Sequence, residues 1–269
     1  DRTRAPLSVD LEMSIFWDAN STVAGLRVPS RAEVLDTLHD GADVYTDPTL
    51  IRLKGLLTLE SRAHSPTPRP MLIRAIVEAI RPTLVVEVGV FKGWTTIAFA
   101  DEMARLGLES SFVVSIDTWL LDLRFTWSKQ QKQQQQLRSY FTPPAIAGGA
   151  QAYAQFLHNV QAAGQQARVI PMQSSTSNAA HAFYSHRWQA DVVYVDASHS
   201  SVEVFMDMEY WWQLVRCGGV LFGDDIRVPS VRVAVSAFVR KHRLKLETKE
   251  FRGTKGEGGF WLLEKSGAA

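Results

Sequence analysis

A single cysteine, Cys217, stands among 269 residues. It cannot form an internal disulfide, and a zinc site built on paired cysteines is excluded. Placed just before Gly218, it is expected to be buried as a small hydrophobe. An excess of charge of either sign is also missing. The 29 Lys and Arg nearly balance the 28 Asp and Glu, leaving a formal net charge of +1, which argues against the strongly basic footprint of a nucleic-acid-binding domain. No apolar run approaches the roughly 18 residues that a membrane-spanning helix requires. What remains, at 46% hydrophobic and 21% charged residues, is the composition of an ordinary soluble globular protein. The chain opens on Asp1 with neither an initiator methionine nor a signal-like stretch, so its natural start is expected further upstream, and the cytoplasm is the expected location.

The rest of the sequence is organised around Thr83 to Thr96, TLVVEVGVFKGWTT. Leu84, Val85, Val86 and Val88 form a short, mostly β-branched run suited to one buried strand. Gly89 and Gly93 follow, and Trp94 to Ala100 can start a helix. Strand, glycine turn and helix together bring a ligand up to backbone N–H groups and a positive helix end. The spacing is E-x-G-x-x-x-G and lacks the second glycine of the G-x-G-x-x-G dinucleotide turn. Glu87, at the strand end, would repel a pyrophosphate. A carboxylate there suits a ligand carrying an amino acid or a sulfonium cation; the plainer alternative is an ordinary buried strand and turn. The stretch resembles motif I of the class I S-adenosylmethionine (SAM) methyltransferases.

Residues 1–68 read as an irregular, partly helical extension, either a lid over a ligand cleft or a dimer surface. In it, Ser30-Arg-Ala-Glu33 has the form of a capping box that starts a short helix, and Asp40-Gly41 would stop it. Pro66, Pro68 and Pro70 make Ser65 to Pro70 a stiff linker. Residues 69–269 then alternate regularly. Helices are predicted from Met71 to the residues before Pro82, from Trp94 through Leu106, over Ala150–Ala163, Ser174–Tyr184 and Ser201–Val215, and from Pro229 through Lys241. Gly218-Gly219 should stop the fifth of these. Strands are predicted at Thr83–Val88, Phe112–Ile116, Arg168–Met172, Val192–Val195 and Val220–Phe222, with a closing hairpin of Leu244–Glu250 and Gly259–Glu264. The segment from about 119 to 149, with its QQKQQQQ run, has the texture of an insertion at a strand's C-terminal end, where loops shape substrate pockets. The class is α/β. Trp94, Trp119, Trp127, Trp211 and Trp212 offer either an aromatic pocket or, for the last two, simple helix packing.

Acids close four of the strands: Glu87, Asp117, Asp196 and the pair Asp224-Asp225. Gathered on one rim they would repel one another unless positive or hydrogen-bonding groups sit among them. Asp117 is placed to accept ribose hydroxyls, or else to cap a helix. Asp196, Asp224 and Asp225 form a candidate metal set whose hard oxygens favour Mg²⁺ or a similar ion over zinc; the alternative is a capped Gly-Asp-Asp turn. His199, in the run DASH, leaves the strand end where these acids converge and can act as a general base near pH 7. The other six histidines read as surface or capping residues.

Beyond motif I, the shared features are E-V-G-V-x-x-G-x-T, the strand-end Asp in IDTW, D-A-S-H, G-G-V-L-x-G-D-D and P-x-V-x-x-A-V. With these the chain, from about Pro70 onward, resembles the metal-dependent O-methyltransferases related to the cephalosporin and macrolide-sugar enzymes, and more distantly catechol O-methyltransferase. The resemblance implies a Rossmann-like fold with a seven-stranded sheet, order 3-2-1-4-5-7-6, and an antiparallel last strand. It implies Glu87, Gly89, Phe91, Gly93 and Thr95 around the methionine part of SAM, Asp117 on the ribose, and Ser174 and Ser175 near the adenine. Asp196, Asp224 and Asp225 would hold the metal, with His199 as base. The catechol enzymes carry a lysine in place of His199 and an asparagine in place of Asp225, which points to the sugar and antibiotic branch. The implied activity is Mg²⁺-dependent methyl transfer to a small-molecule hydroxyl, with a homo-oligomer as one option. A SAM-binding accessory subunit without its own turnover is the rival from another class.

Overall fold

A computed structural model describes residues 25–48, 68–120, 151–250 and 259–266. Among them lie helices α1 (Arg31–His39), α2 (Pro68–Ile80), α3 (Trp94–Arg105), α4 (Gln151–Ala162), α5 (Thr176–Ser185), α6 (Ser201–Leu214) and α7 (Pro229–His242). The strands are β1 (Leu84–Val88), β2 (Phe112–Asp117), β3 (Val169–Gln173), β4 (Ala190–Val195), β5 (Val215–Gly223), β6 (Glu247–Glu250) and β7 (Gly259–Glu264). They form one sheet in the order β3-β2-β1-β4-β5-β7-β6. The first five strands run parallel, and β7 lies antiparallel to both β5 and β6. This is the sheet that the resemblance implied. No helix of the described residues is long and apolar enough to cross a membrane.

The central strand shows why the chain folds in layers. All five residues of β1 are buried, as expected for a parallel strand covered on both faces. Leu84, Val86 and Val88 pack with Phe183, Trp211 and Phe238 from α5, α6 and α7. Val85 points the other way, into a cluster with Ile73 and Ile76 of α2 and Phe99 of α3. The period-2 alternation of one short strand thus meets two helix layers.

Three local expectations change. Helix α2 begins at Pro68, so Pro68 and Pro70 form its first turn, where a missing N–H costs nothing. Helix α6 passes into β5 without a loop: Val215 is at once its C-cap (φ −76°, ψ 133°) and the first strand residue. Gly218-Gly219 therefore lie inside β5, beside the register shift between Ala190 and Val192, and do not stop the helix. The Lys265 ammonium serves that end instead, donating to the carbonyls of Trp212, Gln213 and Val215 at 2.9, 3.2 and 2.7 Å. Cys217 is exposed, not buried.

The described part of the extension lies on the open edge of the sheet. Ser30 caps α1 by accepting the Glu33 N–H at 3.2 Å. The Glu33 carboxylate does not close the capping box; it takes Arg27 at 2.5 and 2.8 Å and the Trp188 indole N–H at 2.9 Å. From this anchor, His39 Nε2 donates to the Pro171 carbonyl at 2.7 Å and the buried Tyr45 hydroxyl to the Val169 carbonyl at 3.2 Å. Both carbonyls belong to edge strand β3, whose unpaired backbone groups would otherwise invite another chain. Residues 1–24 and 49–67, and with them most of the extension, lie outside the described residues, as do Trp127 and the glutamine run.

Tyr45→Phe removes one donor from the β3 edge and should cost about 1 kcal/mol. Tyr45→Ala, which also empties a buried aromatic site, should cost about 3–5 kcal/mol. Urea midpoints of the two variants check the ranking.

Candidate functional site

The C-terminal ends of β1, β2, β3, β4 and β5 form one rim, where a doubly wound sheet binds its ligands. The glycine turn after β1 closes through the Gly93 N–H, which donates to the Val90 carbonyl at 3.0 Å. Gly89 has φ +85°, and a Cβ there would press on the Asp196 carbonyl and come within 2.6 Å of the Ala197 nitrogen. Gly93 has φ +86° and lies so close to the Phe156 ring that a Cβ would stand 2.7 Å from it. Both glycines are therefore required by packing as well as by the positive φ.

Helix α4 seats on the same turn. Its Asn159 side-chain amide donates to the Lys92 carbonyl at 3.0 Å and accepts from Gln155 at 2.9 Å. Trp119 is buried against Tyr153 and Phe156, with ring centroids 4.8 and 5.0 Å apart. Trp119 is thus a structural wedge of this corner, and Trp211 lies wholly within the core.

Asp117 ties the turn to the end of β2. Its Oδ2 accepts the N–H groups of Val90 and Phe91, both at 2.9 Å, and its Oδ1 accepts that of Trp119 at 2.8 Å. Trp119 returns a bond from its indole N–H to the Phe91 carbonyl at 2.8 Å. Phe91 (φ 52°) and Trp119 (φ 48°) are both left-handed, an uncommon state for bulky residues that surrounding structure must hold in place. An ionised carboxylate offers roughly four acceptor positions. With three in use, Asp117 keeps room for about one further donor, where the sequence reading assigned it two ribose hydroxyls.

Glu87 is 1% exposed. It accepts the Thr96 hydroxyl of α3, and Thr96 continues to Ser115 of β2 at 2.9 Å. Thr95 is buried beside it in the first turn of α3. Ser175 is the N-cap of α5, accepting the Asn178 N–H at 3.3 Å, while the Ser174 N–H donates to the Asp117 carbonyl at 3.0 Å. The turn after β3 is therefore joined to the turn after β2.

On the other half of the rim, Asp196, His199 and Asp225 bring potential ligand atoms within 4.8 Å of one another. His199 Nε2 lies 2.7 Å from Asp225 Oδ2, and the Tyr194 hydroxyl donates to Asp196 Oδ2 at 3.0 Å. Ser230 at the start of α7 donates to the His199 carbonyl, tying the loop after β4 to the loop after β5. Here the structure departs from the expected metal set of Asp196, Asp224 and Asp225. Asp224, 8% exposed, is outside the cluster and His199 is inside it. Consecutive side chains leave a backbone in different directions, and the left-handed Asp225 (φ 57°) turns its own carboxylate to His199. Tyr194 escaped the sequence reading, although its position two residues before Asp196 on a strand places both on one face. Asn159 carried no readable signal.

Behind the turn after β3 lies a buried polar group on α6. Asp207 is 2% exposed and is hydrogen-bonded to the Thr176 hydroxyl at the first position of α5. Thr176 Oγ1 also accepts the Trp211 indole N–H at 2.9 Å. Burial pushes the Asp207 carboxyl up to about 7, opposed by the Thr176 hydrogen bond and reinforced by Glu203.

A seven-stranded sheet in this order, with an antiparallel β7, a glycine turn after β1 and acids along the strand ends, defines the class I methyltransferase fold. A methyltransferase-domain family model matches residues 86–226, and the chain belongs to that family. Solved structures agree at the level of fold. An O-methyltransferase of Bacillus cereus in complex with SAH superimposes with a TM-score of 0.55 at 15% identity, over 87% of this chain and 96% of that one. TomG of Streptomyces achromogenes, an O-methyltransferase of tomaymycin synthesis in complex with SAM, gives 0.55 at 16% identity, over 88% and 96%. An O-methyltransferase candidate from Klebsiella pneumoniae gives 0.57 at 17% identity, over 87% and 95%. A search of curated protein sequences finds no match.

Asp117→Asn presents an amide NH₂ to a backbone donor. It should lower stability by about 1–3 kcal/mol in the absence of any ligand, where a residue serving only the ribose would lose affinity alone. Denaturant titration of the free protein separates the two. For Asp207, a folded-state pKa above the unfolded value means that the proton is held more tightly in the folded chain. The stabilisation is present at low pH and is lost as pH rises from about 4 towards 7. Asp207→Asn should accordingly leave the melting temperature near that of the parent at pH 4 and raise it at pH 8.

Proposed function

We propose that the chain transfers the methyl group of SAM to a hydroxyl oxygen of a small molecule, a sugar, polyketide or other secondary metabolite, with a divalent cation such as Mg²⁺ at the carboxylates of Asp196 and Asp225 and with His199 beside it as the general base. The observation that carries this reading is the convergence of two carboxylates and an imidazole within 4.8 Å on the rim of a methyltransferase-family domain. The SAM and SAH complexes of TomG and the Bacillus enzyme support SAM as the donor. A donor set of hard oxygens, without a thiolate, fits Mg²⁺ or a similar ion, and the Tyr194 hydroxyl on Asp196 is the kind of outer contact that orients a ligand carboxylate. Asp224, one residue from Asp225, remains a further oxygen donor at the end of the same strand.

Methyl transfer from a sulfonium is an in-line displacement, in which the S–CH₃ bond breaks as the O–CH₃ bond forms. The protein mainly aligns the two partners and supplies the nucleophile. With Nε2–H directed at Asp225, the His199 lone pair falls on Nδ1, and the Asp225 carboxylate favours the imidazolium formed when a proton is taken. A phenol of pKa ~10 facing a histidine of ~6.5 leaves roughly 5 kcal/mol uphill. An aliphatic hydroxyl, about as weak an acid as water, leaves roughly 12 kcal/mol, too much for a histidine alone. A dication held by Asp196 and Asp225 would supply Lewis acidity that makes such a hydroxyl easier to deprotonate.

The test joins ligand binding to turnover. SAH at about 100 times its Kd should add roughly 2.7 kcal/mol and raise the melting temperature by several degrees, with NADH as the inert control and Mg²⁺ against a chelator as the second axis. His199→Ala should keep the SAH shift while turnover, on an acceptor found by screening hydroxylated sugars and phenols, falls about 10²–10⁴-fold. Retained turnover would remove His199 as base. An SAH shift with turnover indifferent to the chelator would remove the metal, and no SAH shift would remove the SAM reading.

A further inference from the structure

The loop from Asp196 to Ser200 carries His199 between the end of β4 and the start of α6, and it is latched from two sides. Helix α6 lacks an ordinary cap: Ser200 is its N-cap residue, yet the side chain makes no capping bond. The Ser198 hydroxyl takes over. It accepts the Ser200 N–H at 3.0 Å and donates to the carboxylate of Glu203, the third residue of the helix. In a capping box the acid at this position reaches the N-cap N–H directly. Here a serine relays the contact, which only a group that donates and accepts at once can do. The residues on either side of His199 are thereby fixed to the first turn of α6.

The second latch comes from the loop between β5 and α7. That loop is itself tied to the sheet: the Ile226 N–H donates to the Gly259 carbonyl of β7 at 3.0 Å, and the Val228 N–H to the Asp225 carbonyl at 2.8 Å. It holds His199 at two points. Asp225 takes the ring through Nε2, and Ser230, five residues on, donates its hydroxyl to the His199 carbonyl. A bond to the ring alone would let a half-exposed side chain move with its backbone. The second bond fixes the main chain from which the ring hangs. The N-cap of α7, Val228, has no side-chain cap, so the one hydroxyl in the first turn of α7 serves the neighbouring loop and not its own helix.

We infer that Ser230 is a positioning residue for His199: its hydroxyl fixes the backbone of the loop after β4 so that the Nε2 proton stays on Asp225 and Nδ1 stays available as the base atom, while the Ser198–Glu203 relay holds the same loop from α6. The inference rests on the reading of His199 as the base. Ser230 touches no reacting group and acts only through His199, in the way that outer contacts keep a functional side chain in its productive geometry.

The ring tautomer of His199 tests it and needs no acceptor. It is read by ¹⁵N NMR of the full chain with Mg²⁺ present, at a pH where imidazole is neutral, with the His199 signals identified by their loss in His199→Gln. The parent should show one tautomer, with the proton on Nε2. Ser230→Ala should mix the two tautomers. On an acceptor found by screening it should also lower kcat about tenfold, with the acceptor KM and the SAH dissociation constant within about twofold of the parent. Ser230→Thr, which restores the hydroxyl, should recover both readouts. Ser198→Ala, which breaks the relay to Glu203, should act in the same direction by a smaller factor, and it serves if Ser230→Ala does not fold. A folded Ser230→Ala that keeps the parent tautomer, or that loses SAH affinity in proportion to kcat, overturns the positioning role, as does a parent whose ring already populates both tautomers. Mixed tautomers with an undiminished kcat overturn the base reading of His199 instead, so the NMR signal separates the two failures.

Discussion

One carboxylate holds the ligand rim in shape. Asp117 gathers three backbone N–H groups from two different loops, and each bond to a charged group is worth about 1.5–3 kcal/mol. That is the scale of the strain it must offset, since left-handed Phe91 and Trp119 cost on the order of 1–3 kcal/mol each. Without such a clamp the glycine turn would relax, and the backbone donors at the start of α3 would lose their alignment. The turn after β3 depends on the same residue through its carbonyl, which accepts from Ser174. Three of the rim's loops are therefore tied to one residue, two through its side chain and one through its backbone carbonyl, and α4 packs on the arrangement through Phe156 and Asn159.

The crowding of acids on the rim is resolved locally. Glu87 takes a threonine hydroxyl, Asp117 takes backbone amides, Asp196 takes a tyrosine hydroxyl and Asp225 takes an imidazole. Each of these four carboxylates has its own donor, so they do not rely on a single counter-ion. The consequence is a division of labour. Glu87 and Asp117 brace the glycine turn from below and beside it, with about one acceptor position of Asp117 left over. Asp196 and Asp225 stay partly exposed and share their corner with His199.

The strands were legible because burial on both faces writes itself as short β-branched runs, as in Leu84–Val88, whereas their order came only from the resemblance to the class I methyltransferases. The junction of α6 and β5 was not legible. Gly218-Gly219 looked like a helix stop, whereas the helix ends at Leu214 on the capping ammonium of Lys265, which lies 50 to 53 residues away in sequence from the carbonyls it joins. The motifs identified which residues crowd the rim but not what each one holds. Asp117 looked like a free ribose acceptor, because the donors that occupy it come from residues 90, 91 and 119, and no spacing rule reports such convergence. Asp224 and Asp225 looked equivalent. Only the left-handed backbone at Asp225 distinguishes them, and in a non-glycine residue the sequence does not announce it.

The two halves of the rim differ in how much water they admit, and this decides where specificity can arise. Around Gly89, Gly93 and Asp117 the backbone donors are fixed by packing, so a ligand meets a preformed surface and loses little to reorganisation. At His199 the side chain is half exposed, 52% against 21% for Asp225. A corner this open admits water beside the imidazole. Methyl transfer is sensitive to that exposure, because a hydrated oxygen must shed water before it can approach the sulfonium. Under the proposed function, an acceptor placed over His199 and Asp225 would itself have to displace that water. An acceptor too small to cover both groups would leave its oxygen solvated and react slowly even when bound. The constraint acts through shape at the open corner, and it leaves the rigid half around Gly89 and Gly93 unchanged.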